Sequence, residues 1–124
     1  MMDAMEKINL ATELARVDEH WRPKVVGEFN GQEMKVVKFK GEFVWHHHEE
    51  TDEVFVVWRG AFRMEYRDRL VQLGPGDLVV VPRGVEHRPV ADEEVEVLLL
   101  EARDTRNTGN VVDERLTAPP GQRL

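Results

Sequence analysis

From Lys24 to Ala102 the apolar positions of this chain fall in short runs or alternate with polar ones, the period of a β-strand. The segments KVVGEF, QEMKVVKF, GEFVWHHH, EVFVVW, AFRMEYR, LVQL, DLVVVP, EHRPVA and VEVLLLEA each read as a strand. Turn chemistry separates them: Asn30-Gly31, Arg59-Gly60, Arg67-Asp68, Gly74-Pro75-Gly76-Asp77, Arg83-Gly84 and Asp92-Glu93. Asn-Gly is the strongest short-range signal for a hairpin. A helical period occurs in Asn9 to Val17, where Leu10, Leu14 and Val17 share a face and Asn9 can cap the first turn. Pro23 ends it. Many short strands with almost no helix predict an all-β jelly-roll sandwich or barrel behind a short N-terminal helix. The expected organisation is a lead-in over 1–23, a barrel over 24–102 and a polar tail over 103–124. The tail ends in TAPPGQRL, which cannot form a strand interior and is expected to be mobile.

Composition narrows the function classes. A chain of 124 residues is one domain, large enough for one core. No apolar stretch approaches the ~20 residues needed to span a bilayer, and the N-terminus shows no secretory signal. The net charge of −7 argues against a nucleic-acid partner, because phosphate binding needs a basic face. There is no cysteine, so disulfides, thiolate metal sites and cysteine nucleophiles are excluded. Serine is absent too. The expected setting is cytoplasmic, without membrane or nucleic-acid contact.

The stretch FVWHHHEETDEVF raises the chemical question. Strand parity sends His46 and His48 to one face and His47 to the other. Two imidazoles two residues apart on a strand lie about 6–7 Å apart along the chain, close enough to share an ion. EETD then supplies a turn, and a hairpin would bring Glu53 beside both histidines. Of the other two histidines, His20 sits before the strands and reads as a surface residue. His87 opens a strand after a Pro-Gly turn and completes a ligand set of His46, His48, Glu53 and His87. Imidazole plus carboxylate suits iron, manganese, zinc, nickel or cobalt and does not suit calcium.

The same stretch resembles the cupin family. The first cupin motif is matched by Gly41, His46, His48, Glu53 and Gly60, and the second by Gly76, Pro82, Gly84 and His87. Two departures stand out. The Gly41–His46 gap is one residue short, and Ala91 stands where the second motif closes on Asn; neither touches a ligand position. The resemblance implies a double-stranded β-helix barrel holding a divalent transition metal at one end. It is similar to small single-domain cupins labelled mannose-6-phosphate isomerase-like, a label inherited from fold rather than activity. Dioxygenase, isomerase and decarboxylase chemistry are all compatible with it. So is a non-catalytic binding or sensing module with a structural metal. The expected partners are a small-molecule ligand and a second copy of the chain. The edge strand KVVGEF with Trp45 and Trp58 would form the homodimer contact.

Other residues receive plainer expectations. Trp45 shares the His47 face and should pack in a second layer or at a subunit contact. Arg63, Arg67, Arg69, Arg83 and Arg88 read as a solvated face, too scattered for a phosphate pocket. Phe39, Phe43, Phe55, Phe62, Met64 and Tyr66 should fill the barrel, some of them lining a pocket beside the metal. With Glu53 used as a ligand, Glu49 or Glu50 is the candidate for a nearby general base.

Overall fold

The structure is a computed structural model that describes residues 5–124; residues 1–4 of the expected lead-in lie outside the described residues. Helix α1 spans Leu10–Ala15, and Asn9 caps it by accepting a hydrogen bond from the Thr12 backbone N–H at 2.9 Å. Leu14 and Val17 are buried against Val26 and Val36, the face that the helical period predicts.

Seven strands follow: β1 Lys24–Phe29, β2 Gln32–Glu42, β3 Glu53–Arg59, β4 Phe62–Tyr66, β5 Leu70–Leu73, β6 Leu78–Val81 and β7 His87–Ala102. All pairings are antiparallel, and the main path runs β1-β2-β7-β3-β6, with β4 paired to β5 and β7. The protein is all-β with a short N-terminal helix, as the strand pattern predicts. Asn30 and Gly31 join β1 to β2 with φ of 51° and 75°, the two positive angles a type I′ hairpin requires.

Two expectations are corrected. Asp92-Glu93 is not a turn: β7 runs unbroken from His87 to Ala102. Its first half pairs with β4 and its second half with β3, while β2 runs along it from Val90 to Ala102, so this strand belongs to both walls of the barrel. Exposed acids at Asp92, Glu93 and Glu94 mark where it crosses between them. GEFVWHHH is likewise not one strand. β2 ends at Glu42, and His46 makes only an isolated bridge to His87.

The inward faces of both walls form one core containing Val37, Phe39, Phe43, Phe55, Phe62, Met64, Val95, Val97 and Leu99. Trp21 joins it between Phe39 and Phe43, with ring centroids 4.6 and 4.7 Å away. Its indole N–H donates to the Lys40 carbonyl at 2.9 Å. The segment after β7 does not trail free. Leu116 and Ala118 are buried, and the Val25 N–H donates to the Gln122 carbonyl at 2.7 Å, covering part of the β1 edge. Among the described residues no helix is long and apolar enough to cross a membrane.

Candidate metal centre

Three pieces of chain meet at one end of the barrel. His46 exchanges both backbone hydrogen bonds with His87, at 3.0 and 2.9 Å, which sets those two rings side by side. His48 is fixed by its carbonyl, which accepts from the Gly84 N–H at 2.7 Å. The Asp52 carboxylate accepts from the Arg83 N–H at 2.9 Å, tying the EETD turn to the same Pro-Arg-Gly loop. Glu53 then opens β3 with its side chain inward. His46, His48, Glu53 and His87 are all buried, and one donor atom from each lies within 4.8 Å of the others. Alternation along an extended chain brings His46 and His48 in and turns His47 out, even without a regular strand. His47 instead pairs with Glu49 at 2.8 Å, and His20 pairs with Glu94 at 2.7 Å at the surface.

The hydrogen bonds define what the cluster can hold. His46 Nδ1 faces the Val44 carbonyl at 2.9 Å, and His87 Nδ1 faces the Val85 carbonyl at 2.8 Å. A carbonyl only accepts, so in each neutral ring Nδ1 carries the proton and Nε2 presents a lone pair. His87 Nε2 stands 3.1 Å from Glu53 Oε1, and His48 Nε2 stands 3.0 Å from the same oxygen. A lone pair facing a carboxylate is unfavourable unless a proton or a metal ion is shared between them. His48 Nε2 is also a buried polar atom without a hydrogen-bond partner. This donor set fits a divalent transition metal: three imidazoles, two of them with the tautomer fixed by a backbone carbonyl, and one carboxylate oxygen.

The electrostatics agree. Burial and the neighbouring His87 lower the His46 pKa to about 4, keeping the ring neutral and able to ligate. Burial tends to raise the Glu53 pKa, but the His48 and His87 imidazoles against it outweigh that and hold this carboxyl well below its usual range.

Beside the cluster lies a small cavity, about 20 Å³ of space open to the centre of a water molecule, room for about one water. Phe39, Phe43 and Phe55 line it as expected; Phe62 and Met64 are core without lining it, and Tyr66 is half-buried elsewhere. Trp21 and Asn107 also line it. Neither was foreseen, because both belong to polar segments outside the strand pattern. Asn107 pins the C-terminal segment over the cavity. It donates to the Trp21 and Leu116 carbonyls at 3.0 and 2.7 Å and accepts from the Ala118 N–H at 2.9 Å.

Glu49 and Glu50 are exposed and line an outer groove instead of the cavity, so they are not placed to act as a base there. The arginines form ion pairs at the surface, Arg67 with Glu86 at 2.6 Å and Arg83 with Asp52 at 3.2 Å. Trp45 is half-buried under the guanidinium of Arg67, 3.9 Å from the ring centroid, with Arg88 at 5.1 Å.

Residues 33–102 match the cupin domain family, and the chain belongs to it. It is similar to a cupin-2 domain containing protein from Shewanella frigidimarina, at 43% identity and TM-score 0.76, covering 77% of this chain and 94% of that one. A protein from Neisseria meningitidis is 31% identical with a TM-score of 0.73, covering 78% of this chain and 99% of that one. The curated relative it matches is the uncharacterized Bacillus subtilis protein YdbB, 33% identical over 64 residues. That match spans 51% of this chain and 57% of the relative's length.

Proposed function

We propose that His46, His48, Glu53 and His87 bind a divalent transition metal, and that the protein is a metal-dependent enzyme acting on a small organic molecule. The chemistry we favour is oxygen-using or isomerising rather than hydrolytic. The observation that carries this reading is the convergence of four buried donors at the edge of an aromatic-walled cavity. A structural ion has no need of a cavity beside it, whereas a catalytic one requires an open position for substrate. Iron or manganese bound there would supply redox chemistry, and zinc would supply a Lewis acid.

The chain's own residues then have definite tasks. His46 and His87 hold their Nε2 atoms in place through backbone carbonyls. Glu53 contributes negative charge at a dry position. Trp21, Phe39, Phe43 and Phe55 exclude water and favour an apolar substrate portion. The working form is a two-fold homodimer paired through the outer face of the sheet.

One observation favours a second reading, a non-catalytic binding module with a structural metal: the cavity is small and covered by Asn107 and Trp21. Metal analysis of protein purified without added metal comes first. Iron-, manganese- and zinc-loaded protein is then assayed against diols, thiols and enol acids, following oxygen uptake and product. Turnover with iron or manganese that disappears in Glu53→Gln supports the enzyme. Ligand binding without turnover under any metal selects the binding module. Protein that takes up no metal refutes both.

A further inference from the structure

The cavity beside the four donors has room for about one water. An organic substrate therefore has to place its body elsewhere, and the fold leaves an opening next to His87. Strands β5 and β6 follow each other in the chain, yet β5 pairs with β4 and β6 with β3, and they do not pair with each other. Between their edges lies a cleft of about 520 Å³, within the range of about 300–1,000 Å³ common to small-molecule sites. Tyr66, Val71, Val79 and Val85 line it, all half-buried and packed on the main core. Tyr66 stands opposite His87 in the β4–β7 ladder and so shares its face. The Val85 carbonyl fixes the His87 ring at 2.8 Å. Val79 stands opposite Phe55, and Val71 opposite Met64. The wall of the cleft is thus continuous with the side of the barrel that carries His87.

The charged lining of the cleft is neutralised in pairs: Arg67 meets Glu86 at 2.6 Å, and Arg69 meets Asp68 at 3.5 Å. An anionic guest finds no cation there that lacks a carboxylate, and the net charge of −7 opposes its approach. The Tyr66 hydroxyl is different. It makes no hydrogen bond with any described residue and is not sealed from water, so it is available to a guest. Valines on both edges suit a flat apolar body. A pair of oxygens on that body could meet the hydroxyl and an ion with an open position. We propose that this cleft holds the body of the substrate, that the substrate is an uncharged aromatic diol, and that the Tyr66 hydroxyl contacts one of its oxygens. The inference rests on the metal reading above and narrows its substrate class, setting enol acids below neutral diols.

The test uses the full chain loaded with Zn(II), which does not oxidise a diol, and two probes of one shape. Catechol is neutral, and protocatechuate is the same ring and diol with a carboxylate added. Binding is followed through the NMR shifts of the Val71, Val79 and Val85 methyl groups. Catechol is expected to shift all three saturably, and protocatechuate to bind about tenfold more weakly or worse. Tyr66→Phe keeps the ring and loses only the hydroxyl. It is expected to weaken catechol by about 2–10-fold with zinc affinity unchanged. Val71→Trp fills the cleft and should abolish the shifts of Val79 and Val85. If that variant does not fold, Tyr66→Phe carries the decision. The proposal is overturned by protocatechuate binding as tightly as catechol, by shifts confined to other residues, or by no saturable shift up to about 5 mM. Tyr66→Phe binding catechol like the unaltered protein overturns it too, as does an equal loss of zinc in that variant, which marks a structural role. The metal reading is decided separately, since a chain that takes up no zinc refutes it. Valine shifts in such a chain would leave the cleft assigned and remove the ion from it.

Discussion

At the scale of single residues, three consecutive histidines divide between two environments. His46 and His48 are buried in the cluster, and His47 sits between them facing Glu49. His46→Ala or His87→Ala is expected to abolish zinc uptake measured by calorimetry, while His47→Ala keeps it within about threefold. Equal loss in all three would contradict the parity. His46 also predicts a pH dependence in the metal-free protein. Its pKa is lowered from 6.5 to about 4, so between those values the unfolded chain binds a proton that the folded chain does not. This contribution to stability is fully present above pH 6.5 and is lost as pH falls toward about 4. Glu101 acts in the opposite direction, because burial and the charge of Glu53 push its pKa well above the usual range. The His46 effect is therefore read as a difference. In denaturant titrations, stability in His46→Gln should fall less steeply than in the unaltered protein across pH 6.5 to 4. Parallel slopes would show that His46 is not held neutral by the fold. The four cluster residues were legible because three of them lie within eight positions and strand parity sorts them. The buried Lys35–Glu101 ion pair was not, although parity was the signal that could have found it. Each is a charged residue in phase with core valines, and a solvated strand face offers the same letters.

At the scale of elements, period-two alternation located every strand core but not where strands join or stop. A turn at Asp92-Glu93 and a strand-to-strand crossing look alike in sequence, because both expose acids. Only the pairing partners of β7 distinguish them. The polar segment after β7 was harder still. Its order comes from single anchors such as Leu116, Thr108 and Asn107 rather than from any period. Asn107→Ala strands two part-buried carbonyls and the Ala118 N–H. It is expected to cost roughly 1–3 kcal/mol in chemical denaturation and to speed hydrogen exchange at Ala118. Gly109 is the tightest point of the same segment. It has φ +56°, and an added Cβ would press on the His47 carbonyl and the edge of the His46 ring. Gly109→Ala should therefore lower stability and weaken zinc binding together, because relief of that contact has to move the histidine segment. A variant with normal stability and normal zinc affinity would show that the segment does not press on the cluster.

At the scale of the whole molecule, the sequence pointed to an edge contact through KVVGEF, Trp45 and Trp58, and two parts of that surface are already occupied. The β1 edge is partly covered by Gln122, and Trp45 lies under two guanidinium groups. The free apolar surface keeps Trp58 but otherwise lies on a different part of the sheet. On the outer face, Val80 lies in register with Val54 and Val54 with Leu100; Leu78 lies in register with Val56 and Val56 with Leu98. Helix α1 covers the β1–β2 side of this sheet through Leu14 and Val17, whereas Leu78, Val80 and Trp58 stay 60%, 51% and 46% exposed. β6 also ends the pairing path, leaving a strand edge beside the apolar rows. A contiguous, uncharged face of this kind is unusual on a monomer, and a two-fold axis can pair it with its own copy. We therefore propose this face as the contact of a homodimer. Sedimentation at about 50 µM, far above the Kd of an obligate pair, should show a dimer. Leu78→Glu combined with Val80→Glu places charges at the centre of the face and should give a monomer with unchanged β-sheet circular dichroism. Both side chains point outward from the barrel, so zinc affinity should survive the change. A monomeric unaltered protein, or a double variant that remains dimeric, would move the contact off this face.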